Sequence, residues 1–335
     1  MNRLSNRPAG LRRRSSGVSN AIGGILAVVV ILLSAMVGYF ALSAAGPSTT
    51  TVSSTHTETV SSTQTETLSS TLTSTVVSTV SNTNGIVPLR IFAAASLTPA
   101  LQALQSGYQS NYSVSLIYNF ASSGTLETQI AQGVPADVFL SADSTNNVKL
   151  QNKSMLANGN TYRTLLYNSI EVFVPLNNPK NISTLADLLK PGVRVAMGAP
   201  ASVPAGKYTL SVWQNVQAKW GNQSNSDFKS LAYADYSTNI MTHVVSQTTD
   251  VEAAITQVLT GAADAAFGYV SDGAANAAQL RPIAIPPDVN IKAVYTISVI
   301  ASTSHLAQAN AFVSWLLTPS GQAYFAKWGF TPLSS

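Results

Sequence analysis

Four short stretches of small and hydroxyl-bearing residues carry the chemistry this sequence offers. They are Ala94-Ala95-Ser96-Leu97, Ala121-Ser122-Ser123-Gly124, Val203-Pro204-Ala205-Gly206-Lys207-Tyr208 and Thr248-Thr249-Asp250-Val251. Each stands where an expected strand hands over to an expected helix. A helix N-terminus exposes unpaired N–H groups and the positive end of the helix dipole, so it can hold an anion without a cationic side chain. Small residues let backbone approach a ligand, and serine hydroxyls add donors. Ser, Thr and Asp also cap helices generally, so any one of these turns alone reads as capping. Four of them, in a fold whose ligands bind at the carboxyl ends of the strands, point to one anion site.

Other chemistries lack their parts. The globular region has two histidines, His243 and His305, read as surface or helix-end residues. There is no HExxH and no GxSxG elbow, and the chain has no cysteine, which excludes thiol nucleophiles, zinc-thiolate sites and disulfide scaffolds. Gly198 and Gly206-Lys207 imitate a phosphate loop, but seven residues separate the glycines and Tyr208 stands where a hydroxyl must meet magnesium. Asp137 and Asp143 have no second acid placed opposite them by any local pattern. The net charge of +4 comes from the five arginines of the first 14 residues; residues 86–335 carry 13 basic and 12 acidic side chains, a net of +1. A nearly neutral body has no electrostatic footprint for nucleic acid.

The elements that must position the four turns alternate. Strands are expected at 89–94, 114–119, 136–140, 170–174, 194–197, 265–269 and 293–300. Helices are expected from Thr98, from Ser123-Gly124, from Ala205, from Asp250 and over 306–317. This alternation predicts an α/β fold with a parallel, doubly wound sheet. Two such halves in about 250 residues imply two lobes with a cleft between them.

The first 85 residues differ. Residues 1–17 are basic; residues 18–45 are uncharged, with a dense apolar run from Ile22 to Leu42. That is long enough to span a bilayer, and the arginines before it place the N-terminus inside and the rest of the chain outside. The stretch Arg12-Arg13-Arg14-Ser15-Ser16-Gly17-Val18-Ser19-Asn20-Ala21-Ile22 resembles the type IV prepilin-like signals of archaeal surface proteins, in which a basic stretch is cut off just before the apolar helix. Residues 46–85 contain 10 Ser and 14 Thr in octads such as TVSSTHTE and TVSSTQTE, and carry no aromatic residue. Such composition predicts a disordered, O-glycosylatable stalk. Four N-glycosylation sequons, at Asn111, Asn152, Asn181 and Asn222, suit an extracellular body.

From Leu89 onward the sequence resembles the molybdate-binding component of ABC importers, a type II periplasmic-binding-protein family. The carrying segments are Phe92-Ala93-Ala94-Ala95-Ser96-Leu97, Phe120-Ala121-Ser122-Ser123-Gly124, the run from Gln129 to Ala142 containing Gly133-Val134-Pro135-Ala136-Asp137, Val203 to Tyr208, Gly268-Tyr269-Val270-Ser271-Asp272, and Trp328-Gly329-Phe330. The resemblance implies a two-lobed domain over 86–335, lobe 1 being about 86–170 with 288–335 and lobe 2 about 171–287. It implies an oxyanion site built from Ser96 and Ser123 hydroxyls, the N–H groups of Ala205 and Val251, and the Tyr269 hydroxyl. These contacts reach the oxygens of molybdate or tungstate; no catalytic residue, cofactor or resident metal is implied. Asp250 and Glu252, which could add carboxylate ligands, read as an N-cap and a first-turn charge. The expectation is therefore a monomeric, non-enzymatic, membrane-anchored extracellular receptor that hands the oxyanion to an ABC permease. Sulfate or phosphate capture and a pilin-like structural role are the alternatives.

Overall fold

The computed structural model describes residues 54–59, 69–74, 85–221 and 233–333. The expected basic head and the membrane-spanning segment at 18–45 lie outside the described residues. Among the described residues no helix is long and apolar enough to cross a membrane. The chain divides into two compact units, Met1–Asn84 and Gly85–Ser335.

In the first unit, β1 (Ser54–Thr59) pairs antiparallel with β2 (Ser69–Ser74), Ser54 opposite Ser74 and Thr59 opposite Ser69. The rest of the expected stalk at 46–85 lies outside the described residues, Gly85 excepted. Threonine is β-branched and favours extended backbone, and it recurs at alternate positions in STHTET.

In the second unit, β3 (Val87–Ala94) leads through a one-turn 3₁₀ segment into α1 (Thr98–Asn111), and β4 (Val114–Ala121) into α2 (Ser123–Ala131). Then come β5 (Val138–Ser141), α3 (Ser144–Asn152) and the long β6 (Arg163–Pro175). The next stretch contains β7 (Val195–Gly198), α4 (Pro204–Trp220), α5 (Tyr236–Met241), β8 (Val244–Thr248), α6 (Val251–Leu259), β9 (Ala265–Tyr269), α7 (Val270–Ala275) and β10 (Leu280–Ala284). The last stretch contains β11 (Lys292–Val299), α8 (Leu306–Leu316), α9 (Pro319–Ala326) and β12 (Thr331–Pro332).

The strand order is β4-β3-β5-β11-β6-β9-β7-β8, with β10 and β12 also on β6. Pairing is parallel for β3 with β4 and β5, and for β7 with β8 and β9. Strands β11 and β6 run antiparallel to all their neighbours. The sheet is thus mixed, where a wholly parallel one was expected, because strand direction leaves no trace in composition.

Strand β6 joins the two halves. Up to Ser169 its residues pair with β11, and from Ile170 they pair with β9. At that switch Asn290 grips the strand: Ile170 N–H donates to Asn290 Oδ1 (3.3 Å), and Asn290 Nδ2 donates to the Ile170 carbonyl (2.9 Å).

Period-two alternation sends strand side chains to opposite faces. Ile91 and Ala93 join the main core while Phe92 packs with Leu126, Ile130 and Phe139 on the other face. In the other half Val172 and Val174 join the main core, and Phe173 meets Ala254, Ile255 and Val258 of α6. Burial on both faces holds the ends of β3, β5, β7 and β9, and the turns that follow them, in a fixed place.

Candidate functional site

The four turns picked from the sequence converge. A small cavity of about 10 Å³ is lined by Ala94, Ser96, Ser122, Ser123, Ala142, Val203, Ala205, Asp250, Val251 and Tyr269, among others. All five residues implied by the resemblance therefore line one space. They are nearly solvent-free: Ser96 and Val251 are 3 % exposed, Ala205 and Tyr269 1 %, and Ser123 0 %.

Each is delivered by an element's end. Ser96 sits in the 3₁₀ turn after β3. Ser123 opens α2 behind the cap Ser122, whose Oγ accepts from Thr125 N–H (3.2 Å). Ala205 follows Pro204 at the start of α4, where proline's missing N–H costs nothing. Val251 opens α6 behind Asp250, whose Oδ1 accepts from Ala253 N–H (2.8 Å). Tyr269 ends β9. The amides of Ala205 and Val251 are first-turn groups that the helix itself cannot satisfy.

The polar atoms are arranged as donors. Ser123 Oγ accepts from Ala142 N–H at 3.0 Å, which leaves its own proton free for the cavity. Ser96 Oγ lies 2.8 Å from the Tyr295 hydroxyl. The Tyr269 hydroxyl is buried with no hydrogen-bond partner. Burial is the main force that pushes the Tyr269 phenol well above its ordinary range, so it stays protonated and able to donate. An orphaned buried hydroxyl costs about 1–3 kcal/mol unless something in the cavity accepts from it.

Among the described residues lining the cavity none is Lys, Arg or His. The nearby Lys207 is spent on Asp143, at 3.0 Å, and Asp143 also caps α3 through Asn146 N–H. Its role is thus an ion pair between the two halves of the fold, not a phosphate loop. Two more contacts join the halves across the cavity. Gly124 N–H donates to the Ser202 carbonyl at 3.0 Å, and Val294 N–H donates to the Tyr208 hydroxyl at 3.4 Å.

Asp250 is the N-cap expected of it, and Glu252 lies in the first turn of α6 as expected. Its carboxyl is buried deeply enough to be pushed up to about 7, by desolvation first and by the Asp250 carboxylate second. Asp272, 1 % exposed, accepts from Tyr269 N–H at 2.7 Å and is also held well above the usual carboxylate range, by burial and then by Glu252. No local pattern marks Glu252 and Asp272 as neighbours, being twenty residues apart. The same holds for Tyr295, read from sequence only as one residue of an apolar strand.

The family described as bacterial extracellular solute-binding protein matches residues 89–331. Similar to the chain is the molybdate-binding protein ModA of Mycobacterium tuberculosis, 30% identical over 249 residues, covering 74% of this chain and 86% of that protein. Two solved structures share the fold. The periplasmic molybdate-binding protein of Azotobacter vinelandii has a TM-score of 0.61 at 22% identity, covering 73% of this chain and 100% of that one. The sulfate-binding protein SubI of Mycobacterium tuberculosis has a TM-score of 0.64 at 21% identity, covering 74% and 88%.

Proposed function

We propose that this chain, which belongs to the bacterial extracellular solute-binding protein family, captures a fully deprotonated tetrahedral oxyanion, molybdate or tungstate, for an ABC importer. It is a binding protein and not an enzyme. The observation that carries the ligand class is the cavity itself. Its volume of about 10 Å³ is far below the roughly 300 Å³ at which pockets begin to take drug-sized ligands. Its polar groups are three serine hydroxyls, a tyrosine hydroxyl and helix-terminal amides, with no cation, and the one carboxylate among them, Asp250, is engaged in capping α6. The similarity to a molybdate-binding protein supports molybdate within that class.

Capture works by closure. The serines belong to the half built on β3, β4 and β5, while Ala205, Val251 and Tyr269 belong to the half built on β7, β8 and β9. A bridging anion satisfies donors from both halves, so its binding favours the closed arrangement over any open one. We read that closed form as the one an ABC permease receives, with residues 18–45 tethering the body to the outside of the membrane.

Calorimetric titration of the chain with molybdate, tungstate, sulfate and phosphate tests this. One-to-one, sub-micromolar binding of molybdate or tungstate is expected. Tight phosphate binding with no response to molybdate overturns the reading. Sulfate is chemically the nearest rival, since it offers the same deprotonated oxygens, and preferential sulfate binding keeps the mechanism while changing the cargo.

The site also predicts a pH dependence. A bound dianion raises the proton affinity of Glu252 further, so protonated Glu252 binds better than ionised Glu252. Affinity is then highest below the free-state value of about 7 and falls as pH rises through it. A further rise of half a unit on binding corresponds to about threefold weaker binding at high pH. Titrations between about pH 6 and about pH 9 should show this fall, and Glu252→Gln should flatten it; affinity that rises with pH contradicts it.

A further inference from the structure

Lys207 stands where its own helix does not favour it. It is the fourth residue of α4, near the positive end of the helix dipole, which disfavours a cation. Its partner accounts for the position. Lys207 Nζ donates to Asp143 Oδ2 at 3.0 Å, the Asp143 side chain being 6 % exposed and that of Lys207 34 %. The two residues come from opposite halves of the fold, and each follows a residue that lines the cavity. Ala142 directly precedes Asp143, and Ala205 stands two positions before Lys207.

The fold uses Asp143 as a cap. Its Oδ1 accepts from Asn146 N–H at 3.2 Å and from Asn146 Nδ2 at 2.8 Å, at the start of α3. Its carbonyl accepts from the Thr296 hydroxyl at 2.9 Å, which ties it to β11. A nearly buried carboxylate is therefore held one residue from the cavity lining. Its charge reaches that lining: after burial and the Tyr295 and Tyr208 phenols, it also raises the Tyr269 phenol. Charges interact strongly where water is scarce. Asp250, in the lining itself, already places one carboxylate there as the cap of α6.

We infer that Lys207 serves the oxyanion site by cancelling the Asp143 charge, which the fold requires as a helix cap and which would otherwise repel the dianion. Because the partners sit on opposite halves, the cancellation is complete where the halves meet, in the form that holds the anion. The role is distinct from that of a strap. A strap is lost equally when either end is removed, whereas a cancelling charge is needed only while the opposing charge is present. This inference rests on the oxyanion reading.

The test is calorimetric titration with molybdate of the full chain in mild detergent, unmodified and as Lys207→Met, Asp143→Asn and the double variant, with thermal melts as the folding control. Methionine keeps the apolar stem of lysine, and asparagine keeps the cap of α3 without its charge. Lys207→Met is expected to weaken binding about tenfold and Asp143→Asn by less than about threefold. The double variant is expected to bind at least about threefold more tightly than Lys207→Met alone. The same loss in both single variants and in the double means that the pair is only a strap, and overturns the inference. So does full affinity in Lys207→Met. Asp143→Ser, a second uncharged cap, replaces Asp143→Asn in the comparison if the latter melts early. Failure of the oxyanion reading shows separately, as absence of molybdate binding in the unmodified chain.

Discussion

Ser123→Ala is expected to weaken oxyanion binding roughly 10- to 150-fold, because a hydrogen bond to a charged group is worth about 1.5–3 kcal/mol and Ser123 is completely desolvated. The variant also leaves Ala142 N–H without its acceptor, so some loss of stability accompanies the loss of affinity. Ser122→Ala separates the two effects. Ser122 is the N-cap of α2, and removing a cap costs about 0.5–2 kcal/mol of stability. Its Oγ is engaged with Thr125 through both N–H and hydroxyl (3.2 and 2.8 Å), so its loss should leave affinity within about threefold while the thermal midpoint drops by a few degrees. Titration and melting of both variants make the comparison. Equal affinity losses at the two positions would show that Ser123 is not the serine that donates to the anion.

Gly124→Ala should oppose closure itself. A Cβ built on Gly124 comes within 2.5 Å of the Ser202 carbonyl oxygen and 2.9 Å of the Ser202 Cα. Those atoms are backbone belonging to the facing half, so they cannot rotate aside as a flexible side chain would. In an arrangement with the halves apart the methyl group meets nothing of the kind, and alanine is a better helix residue than glycine. The variant therefore keeps or gains stability without ligand and loses the closed state. Overpacking of this sort costs about 1–3 kcal/mol, a roughly 5- to 150-fold loss of affinity. Small-angle scattering with saturating molybdate should also show a larger radius of gyration than the unmodified protein. Affinity equal to that of the unmodified chain would mean that closure does not bring Gly124 against Ser202.

The parts of the fold legible in the sequence are those where one local pattern decides. Strand β3 is apolar and buried on both faces from Ile91 to Ala94, and it ends in small residues before a helix that begins at Thr98 as expected. The start of α2 at Ser123 was equally plain. Strand β6 was expected only from Ile170, but it begins at Arg163. Its first half, Arg163-Thr164-Leu165-Leu166-Tyr167-Asn168-Ser169, mixes polar and apolar residues without strict alternation. Pairing with β11, more than a hundred residues later, decides its structure. Strand β8 lies at the sheet edge with Val245 exposed, and β10 carries Pro282, a residue that normally argues against a strand.

The site divides in the same way. Its lining was readable because helix starts have local signatures. What stands behind the lining was not, since Ser96 and Tyr295 are 199 residues apart and only the completed sheet makes them neighbours.

The position of β11 has a consequence for how the chain is made. It inserts between β5 and β6, although both of those strands are synthesised more than a hundred residues earlier. Until Lys292–Val299 emerges, β5 and the first half of β6 each present an open edge, and the half of the fold that begins the domain lacks the strand that closes it. The other half, with β7, β8 and β9, is complete in sequence before then. Folding thus cannot proceed strictly from the N-terminus. The late strand must thread between two waiting edges, a high-contact-order step that slows folding and prolongs the exposure of sticky backbone. For a chain bound for the outside of a cell, that delay favours translocation of the unfolded polypeptide, because the molecule cannot seal its own core before Lys292–Val299 is available.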